Sequence, residues 1–347
     1  MDRRGIVYIA QDLDERGERR DFFSGHWELP DPPTSLEHGP GWTDAEEALA
    51  WGRERAPVVL VRLGSQYYSA GDAEPEGKNL PRWPPAESEL SGGGVTSGVV
   101  RVGDTVRRPV GPWTPTIHAY LRHLEERGFG GAPRVAGIDE RGREILTYVE
   151  GLVPSDSDWQ RGHATPLPEA ALSDESLVEA GRLIRALHAA AADFQPTEPV
   201  WREYVYPALP GEIACHGDLG PHNTVYRDGR PVAFIDWDGA RPNEPVLEFA
   251  HASWYYVPLA DDAYCEEMGF REPPDRAARL RLFAEAYGAP HGEVVDALRE
   301  AKQREAERLR YWPVTAGSAA QFLSQLVREL EWLAANEPEL HDALGSR

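Results

Sequence analysis

The sequence predicts an α+β fold in which a small α/β module and a β-rich segment precede a larger helical region. Strand and helix patterns alternate in residues 1–70, whereas strand patterns and turn signals dominate residues 88–150. Beyond residue 151, apolar residues recur at helical spacing, interrupted only by short strands around a loop between residues 215 and 237. We therefore divide the chain into an accessory module (1–70), a linker (71–87), a β-rich lobe (88–150) and a helical lobe (151–347).

The accessory module is predicted from two apolar strand patterns and one helix. The strands cover Ile6 to Ala10 and Pro57 to Leu63, and a loop rich in proline and acidic residues follows the first strand. Thr43 and Glu46 form a T-x-x-E capping box at the start of the helix. Residues 71–87 mix proline, glycine and charge without an apolar period, which indicates a connection between folded parts.

The β-rich lobe is predicted to contain three strands and one helix. A turn at Gly103-Asp104 joins a strand that runs through Arg101 to a second strand that ends at Arg108. The helix covers Thr116 to Arg127, and the third strand covers Ile145 to Val149.

The helical lobe shows clear helix signals. Ser173 is a suitable N-cap, and Asp174 and Glu175 place negative charge in the first turn, where the helix dipole favours it. Three further helical patterns follow in the C-terminal part of the chain: Arg276 to Tyr287, Glu293 to Leu309 and Ala319 to Ala335.

The composition indicates a folded protein that does not bind nucleic acid. Hydrophobic residues make up 41% of the 347 residues, a share that can form a packed core. The formal net charge of -22 would repel a polyanion, and no run of basic residues offsets it. An acidic surface could favour a cationic substrate, although solubility through like-charge repulsion is the simpler explanation.

Cysteine content and hydropathy predict a cytoplasmic location without a membrane partner. Cys215 and Cys265 are too few for a disulfide framework, and neither has the spacing of a Cys/His metal site around it. The N-terminal apolar run, Gly5 to Ala10, is too short for a signal peptide. No stretch approaches the roughly 20 apolar residues that cross a bilayer. We therefore expect a soluble protein in a reducing compartment.

The segment that carries chemistry is CHGDLGPHNTVYRDGRPVAFIDWDGA, from Cys215 to Ala240. Its D-x-x-x-x-N loop supplies Asp218, which can orient and deprotonate a hydroxyl group, and Asn223, whose amide oxygen can bind Mg²⁺. Two apolar-rich strands joined by an Asp-Gly turn then return the chain and present Asp236 beside the loop. An isolated H-G-D is an ordinary turn, but Asn223 and Asp236 in register with it favour phosphoryl transfer from ATP.

This segment resembles the catalytic stretch of the aminoglycoside phosphotransferase and choline kinase family, which has the form H-G-D-x-x-x-x-N followed by a strand that ends in I-D. The resemblance covers about residues 88–335 and is specific between His216 and Asp236. It implies a protein-kinase-like two-lobed fold, with the β-rich segment as N-lobe and the helical region as C-lobe. It also implies ATP and Mg²⁺ as cofactors, Asp218 as catalytic base, Asn223 and Asp236 as metal ligands, and His216 as a brace for the loop.

The same resemblance implies which residues cover the phosphates of the nucleotide. The stretch from Ser91 to Gly98 lies where the family keeps its phosphate-covering hairpin, so that the backbone of Gly93 and Gly94 and the hydroxyls of Thr96 and Ser97 would face phosphate. Taken alone, such a stretch is more often a flexible linker.

The lysine that contacts phosphate in this family has no direct counterpart. The chain contains two lysines, Lys78 and Lys302. Arg107 is the nearest candidate, with Arg108 predicted on the opposite face of the strand, and an arginine can bind phosphate in a bidentate way. The usual glutamate partner is also uncertain in position, since His118 falls where it is expected and Glu125 and Glu126 lie two turns later.

Further site residues lie before and after the catalytic segment. By resemblance, the strand that ends at Tyr148 and Val149 is the hinge whose backbone binds adenine. Glu248 holds the place of an acid with which the family pins its catalytic loop. Asp238 and Glu244 lie on a predicted loop, where they could bind a cationic amine, although a solvated loop explains them equally well.

We therefore expect an ATP-dependent phosphotransferase that acts on a hydroxyl group of a small molecule, such as an aminoglycoside, an amino alcohol or a sugar. The catalytic loop does not distinguish between these acceptors. The alternative is a catalytically impaired pseudokinase that binds a nucleotide or a partner, because the lysine and glutamate pair is missing. The accessory module could shield the acceptor site, mediate self-association or bind a partner, and the sequence assigns no oligomeric state.

Overall fold

The structure is a computed structural model. It describes residues 6–13, 19–30, 33–42, 45–63, 66–73, 80, 82, 87–90, 98–154, 164, 166–202, 204, 208–308 and 316–345. The chain forms two compact units. The first consists of Met1–Leu90, Thr96–Pro109 and Val135–Tyr148, and the second of Ser91–Val95, Val110–Arg134 and Val149–Arg347. The domain boundaries predicted from the sequence stay predictions.

The first unit begins with a five-stranded sheet and one helix. These elements are β1 (Ile6–Leu13), β2 (Arg19–Pro30), β3 (Pro33–His38), α1 (Ala45–Arg55), β4 (Val58–Leu63) and β5 (Gln66–Ser69). The strand order is β3-β2-β1-β4-β5, and β1 pairs with β4 in parallel. A parallel pair needs a crossover, which α1 provides. Val7, Ile9, Val59 and Val61 alternate along the two central strands and pack with Leu49 of α1.

The structure corrects one prediction for this module. The proline-rich and acidic stretch after β1 was expected to be a loop, but it forms β2 and β3. The prolines do not interrupt the sheet, because Pro30 ends one strand, Pro33 begins the next, and β3 lies at the sheet edge. The predicted strands at β1 and β4 and the helix are confirmed, whereas Thr43 of the capping box lies outside the described residues.

A second five-stranded sheet completes the first unit. Its strands are β6 (Glu87–Glu89), β7 (Val100–Val102), β8 (Thr105–Pro109), β9 (Val135–Ile138) and β10 (Arg143–Thr147). They are antiparallel in the order β6-β7-β8-β10-β9, and the predicted turn at Gly103-Asp104 joins β7 to β8. The predicted third strand ends two residues early, at Thr147, because its partner β8 begins opposite that residue. The glycine within β9 weakened its strand pattern, so this strand was missed.

Gly103 is the position at which the two sheets of this unit meet. Tyr68 of β5 is buried, and a Cβ at Gly103 would lie 1.9 Å from the Tyr68 hydroxyl oxygen. Gly103 also has a φ of 63°, a conformation that side-chain-bearing residues rarely adopt. A glycine is therefore required here both by the turn and by the packing.

The second unit is mainly helical. Its helices are α2 (Thr114–Glu126), α3 (Asp174–Ala191), α4 (Pro245–Tyr256), α5 (Asp262–Met268), α6 (Arg276–Tyr287), α7 (His291–Arg308) and α8 (Ala316–Leu344). Two short antiparallel pairs join them: β11 (Ile213–Cys215) with β14 (Arg241–Asn243), and β12 (Thr224–Arg227) with β13 (Arg230–Phe234). α3 packs on α6, and α4 packs on α7. The ring centroid of Phe249 in α4 lies 5.0 Å from that of Phe283 and 4.4 Å from that of Tyr287.

Several helix and turn predictions for this unit are confirmed. Ser173 caps α3, since its side chain accepts a hydrogen bond from the backbone N–H of Ser176. α6 has the predicted bounds. Asp228 and Gly229 have φ values of 52° and 75°, as a tight hairpin turn requires, and they place Asp236 just after β13. Among the described residues, no helix has the length and apolar character needed to cross a membrane.

Candidate active site

The two short strand pairs of the second unit position the segment predicted to be catalytic. Cys215, at the end of β11, pairs with Arg241 of β14, and the loop that begins at His216 follows directly. This loop ends in a single helical turn, Pro221–Asn223, from which β12 starts. Asp236 lies two residues beyond the end of β13. The strand pairs therefore bring both ends of the segment to one place.

Gly217 and Arg241 hold the loop against the turn that follows Asp236. Gly217 has a φ of 87°, and a Cβ there would lie 1.9 Å from the carbonyl oxygen of Gly239. Arg241 Nη1 donates to the carbonyl oxygens of Gly217, at 3.0 Å, and of Gly239, at 2.9 Å. The close approach of these two backbone segments explains the glycine in H-G-D.

Asp218 and Asn223 are in direct contact. Asn223 Nδ2 donates to Asp218 Oδ2 and to the Asp218 carbonyl oxygen, both at 2.9 Å. These bonds engage the amide nitrogen, and the amide oxygen of Asn223 is the atom that can serve as a metal ligand. Asn223 is buried, whereas the Asp218 side chain is 52% exposed.

Asp236 lies beside this pair. The backbone N–H of Ile235 donates to the Asn223 carbonyl oxygen at 2.9 Å, which ties the end of the hairpin to the loop. Asp236 is exposed and has φ and ψ of 61° and 66°, a left-handed conformation that is uncommon for residues with a side chain and is concentrated at functional sites. Burial lowers the pKa of His222, but Asp218 and Asp236 together raise it above its usual value. Both carboxylates therefore act on one imidazole.

His216 braces both ends of the segment. Its Nε2 hydrogen-bonds the Ile235 carbonyl oxygen at 2.9 Å, and its Nδ1 accepts from the backbone N–H of Asp218 at 3.4 Å. The ring is fully buried and packs on Trp237, with 4.5 Å between centroids. Burial lowers the pKa of His216, so the imidazole is neutral and can donate and accept in this way.

Glu248 of α4 supports the loop through hydrogen bonds to its backbone. Its carboxylate accepts from the backbone N–H of Gly217 at 2.5 Å and of His216 at 3.1 Å. His188 Nε2 lies 2.8 Å from Glu248 Oε2, and His188 Nδ1 lies 2.8 Å from the Tyr287 hydroxyl. Burial raises the pKa of Glu248, but His188 and the other partners lower it to about 2 overall. The carboxylate is therefore ionised at neutral pH.

Glu248 and two residues near it are of types that also bind metal ions in proteins. Ligand atoms of His188, Cys215 and Glu248 lie within 4.8 Å of one another, and all three residues are buried. Each Glu248 oxygen is, however, occupied by hydrogen bonds to the loop or to His188. Burial raises the pKa of the Cys215 thiol well above its usual value, which disfavours a thiolate ligand. We assign this cluster to support of the loop.

Two histidines that the sequence analysis did not single out face Asp218. His222 Nε2 lies 3.6 Å and His251 Nε2 lies 4.0 Å from Asp218 Oδ1. Desolvation raises the pKa of Asp218, but His222, His251 and His216 lower it well below its usual range overall. His222 is within the D-x-x-x-x-N loop, so its place in the sequence already indicated that it would lie near Asp218. His251 is far away in sequence, and no spacing pointed to it.

Asp238 and Glu244 each have an arginine partner within the chain. Arg202 Nη1 lies 3.3 Å from Asp238 Oδ2, and Arg304 Nη2 lies 3.1 Å from Glu244 Oε1. Asp238 is buried in the single turn after Asp236, and Glu244 is the residue just before the first turn of α4. The predicted role of these acids in binding an amine stays a prediction, and an amine would compete with the two arginines.

The predicted nucleotide contacts are a glycine-rich stretch, a hinge and two arginines. Gly93, Gly94, Thr96 and Ser97 lie outside the described residues. Tyr148 and Val149 follow β10, and the Arg101 guanidinium lies 3.7 Å above the Tyr148 ring centroid.

The two candidate arginines lie on β8 in the first unit. Arg107 Nε lies 3.8 Å from Asp139 Oδ2, and Arg108 Nε lies 3.1 Å from Glu144 Oε1 on the neighbouring strand. Both arginine side chains are buried. Their role toward phosphate stays a prediction.

Comparison with known proteins identifies the family. The family model described as "APH: Phosphotransferase enzyme family" matches residues 198–287, which include the whole loop and hairpin. The trifolitoxin immunity protein of Rhizobium leguminosarum bv. trifolii is 40% identical over 205 residues, which are 57% of this chain and 73% of that protein. The chain belongs to the phosphotransferase enzyme family. This confirms the predicted resemblance and, with the separate sheets and helices described above, the predicted α+β protein-kinase-like fold class.

Solved structures of kinases resemble this phosphotransferase-family chain more distantly. A choline/ethanolamine kinase family protein from Mesorhizobium loti is 19% identical with a TM-score of 0.48, covering 76% of this chain and 92% of its own. Choline kinase from Cryptosporidium parvum is 10% identical with a TM-score of 0.45, and the match covers 87% of this chain and 100% of that kinase. APH(2'')-IIa in its gentamicin complex is 14% identical with a TM-score of 0.40, and the match covers 74% of this chain and 93% of that protein.

The support from Glu248 can be tested by replacing Glu248 with Gln. An amide nitrogen would face backbone N–H groups, so the free energy of unfolding should fall by about 3 kcal/mol at pH 7. The pKa of Glu248 is about 2 in the folded chain and about 4.3 in an unfolded chain. Its stabilisation is therefore complete above the unfolded value and is lost as the pH falls toward 2, so the native chain should lose more stability than Glu248→Gln over that range.

Urea unfolding followed by circular dichroism at several pH values measures both effects. Glu331→Gln, at an exposed position of α8, is the control and should behave like the native chain. If Glu248→Gln matches the native chain in stability and in pH dependence, Glu248 does not support the loop.

Proposed function

We propose that the chain transfers the terminal phosphoryl group of ATP to a hydroxyl group of a small molecule. The observation that carries this proposal is the contact of Asp218 with Asn223, beside the left-handed Asp236. It combines an ionised carboxylate that is open to an acceptor with two further side-chain oxygens suited to a hard cation. Membership of the phosphotransferase enzyme family supports the same reaction class.

In this proposal Asp218 orients the acceptor and receives its proton. The low pKa of Asp218 keeps it ionised at neutral pH, so that it accepts a hydrogen bond from the acceptor hydroxyl. The bond between the terminal phosphorus of ATP and its bridging oxygen breaks, ADP leaves with the electron pair, and the acceptor oxygen bonds to phosphorus. Such a weakly basic carboxylate takes the proton late, which suits a loose transition state with little bond formation to the acceptor.

Asn223 and Asp236 would hold Mg²⁺. The amide oxygen and the exposed carboxylate fit the preference of this cation for oxygen ligands. When bound, Mg²⁺ neutralises negative charge on the phosphates. His216 keeps the two ligand-bearing segments together, since it contacts both the loop and the end of the hairpin. Glu248 in turn holds the backbone of His216.

The remaining nucleotide contacts belong to the same proposal. Gly93 and Gly94, with the hydroxyls of Thr96 and Ser97, would cover the phosphates. Either Arg107 or Arg108 would replace the family's phosphate-binding lysine, and the backbone at Tyr148 and Val149 would bind adenine. We place this activity in the cytoplasm, where ATP is available.

Replacing Asp218 with Asn tests the proposal most simply. We expect phosphoryl transfer to fall by about 10²–10⁴-fold with the fold retained, because Asn has the same shape but cannot take the proton. ADP release should be measured with Mg²⁺, ATP and a panel of ethanolamine, choline, glucose, gentamicin and streptomycin. Asp296→Asn, an exposed aspartate on α7, is the matched control and should keep native activity.

Two results would contradict this assignment. Equal turnover by the native chain and by Asp218→Asn would show that Asp218 is not the base. A rise in melting temperature with Mg²⁺ and ATP, without turnover on any acceptor of a broad panel, would instead support a pseudokinase that binds a nucleotide.

A second candidate function is immunity to a toxin. The 40% identity to the trifolitoxin immunity protein favours this function. Phosphorylation of a hydroxyl group of the toxin would connect immunity with the phosphotransferase activity proposed above. Expression of the native chain in a trifolitoxin-sensitive bacterium should then permit growth with the toxin, whereas Asp218→Asn should not. Equal protection by both chains would separate immunity from phosphoryl transfer, and no protection by the native chain would exclude this toxin.

A further inference from the structure

The accessory module contacts the turn between β7 and β8 through one buried tyrosine. Tyr68 of β5 pairs with Val61 of β4, which belongs to the core that the module's sheet forms with α1. The Tyr68 side chain is only 2% exposed. Its hydroxyl oxygen lies 1.9 Å from where a Cβ of Gly103 would be, so it is in van der Waals contact with that glycine. The module therefore packs directly on the turn.

The same turn holds Tyr148, the residue that follows β10. The backbone N–H of Tyr148 donates to the carbonyl oxygen of Asp104 at 2.8 Å. Arg101 Nε donates to the carbonyl oxygen of Gly103 at 2.8 Å, and the Arg101 guanidinium lies 3.7 Å from the Tyr148 ring centroid, where a cation is attracted to the ring face. Both the backbone and the ring of Tyr148 are thus fixed by the turn.

Arg107 is connected to this turn as well. Thr105, the first residue of β8, is buried, and its hydroxyl donates to the carbonyl oxygen of Val102 at 2.7 Å. Arg107 Nη1 in turn donates to the Thr105 hydroxyl oxygen at 2.5 Å. Because the hydroxyl has one hydrogen and two acceptor lone pairs, it can make both bonds at once. A displacement of the turn would therefore displace Tyr148 and Arg107 together.

Gly103 has no side chain with which to anchor the turn. Its φ of 63° suits a glycine, but a glycine backbone also populates many other conformations. The buried ring of Tyr68 occupies the space in which a side chain of residue 103 would lie. The packing that limits the motion of this turn is thus supplied by the accessory module.

We propose that the accessory module is a positioning element for nucleotide binding. Tyr68 fixes the turn at Gly103-Asp104 and, through it, the backbone at Tyr148 and the side chain of Arg107. This inference rests on the phosphotransferase function proposed above, in which those two residues contact the nucleotide. All residues of this network belong to the first unit, whereas the proposed metal and acceptor residues belong to the second.

Replacing Tyr68 with Ala removes the contact with the turn. We expect the dissociation constant for ADP in the presence of Mg²⁺ to rise by about 5–30-fold, the value of one well-placed nucleotide contact. Tyr67→Ala is the matched control, because Tyr67 is 37% exposed and lies on the opposite face of the same strand. It should stay within about twofold of native. Isothermal titration calorimetry measures both and needs no identified acceptor.

A double-mutant cycle tests whether the effect runs through the turn. Arg101→Ala releases Gly103 and the Tyr148 ring and should by itself weaken ADP binding by about 5–30-fold. The double variant should lose less affinity than the product of the two single effects, because both substitutions free the same turn. Tyr68→Phe removes only the hydroxyl that touches Gly103 and should cost about 2–5-fold.

Hydrogen exchange gives a second readout that needs no ligand. The Tyr148 amide is bonded to Asp104, so its exchange should become about tenfold faster in Tyr68→Ala. The Gly217 amide, which is bonded to Glu248 in the second unit, should exchange as in the native chain. A general loss of stability would instead accelerate the exchange of both amides.

The outcomes distinguish the inference from the function on which it rests. A native chain that does not bind ADP contradicts both. A native chain that binds ADP, with the same affinity in Tyr68→Ala, contradicts the inference alone. An equal loss of affinity in Tyr67→Ala also contradicts it, since the contact with the turn would then not be the cause. If Tyr68→Ala does not fold, Tyr68→Phe and Arg101→Ala decide: weaker ADP binding by both supports the role, and native affinity in both refutes it.

Discussion

The carboxylate of Glu248 accepts hydrogen bonds from the backbone N–H groups of His216 and Gly217 in a buried part of the second unit. Backbone donors removed from water must be paired, and an ionised carboxylate pairs two of them at once. His188 compensates the cost of burying this charge and is itself held by Tyr287. The position of Asp218, one residue beyond Gly217, depends on this interaction.

The rest of the site follows from a loop that is fixed in this way. Arg241 and His216 connect the loop to the end of the hairpin, so Asn223 and Asp236 approach Asp218 from two different segments. The left-handed backbone at Asp236 is tolerated because the contacts on both sides of it leave little freedom. A site held in this way would need little rearrangement to bind the proposed cation and phosphate.

The part of this site that could be predicted is the part encoded locally. The hairpin that presents Asp236 was predicted because Asp228-Gly229 is a turn signal that acts over a few residues. β2 and β3 were missed because their proline and acidic residues resemble a loop, and only pairing with β1 makes them strands. His188 and His251 were missed because their partners are distant in sequence, and a lone histidine in a helical pattern gives no sign of what it will contact.

The most direct test of the account is the position of a bound metal ion. A crystal of the chain grown with Mn²⁺ and a non-hydrolysable ATP analogue would locate the ion by its anomalous scattering, since Mn²⁺ takes the same oxygen ligands as Mg²⁺. We predict Mn²⁺ bound to the Asn223 amide oxygen and the Asp236 carboxylate, with the exposed Asp218 carboxylate left open to the acceptor. Mn²⁺ elsewhere, with these two side chains turned away from it, would contradict the account.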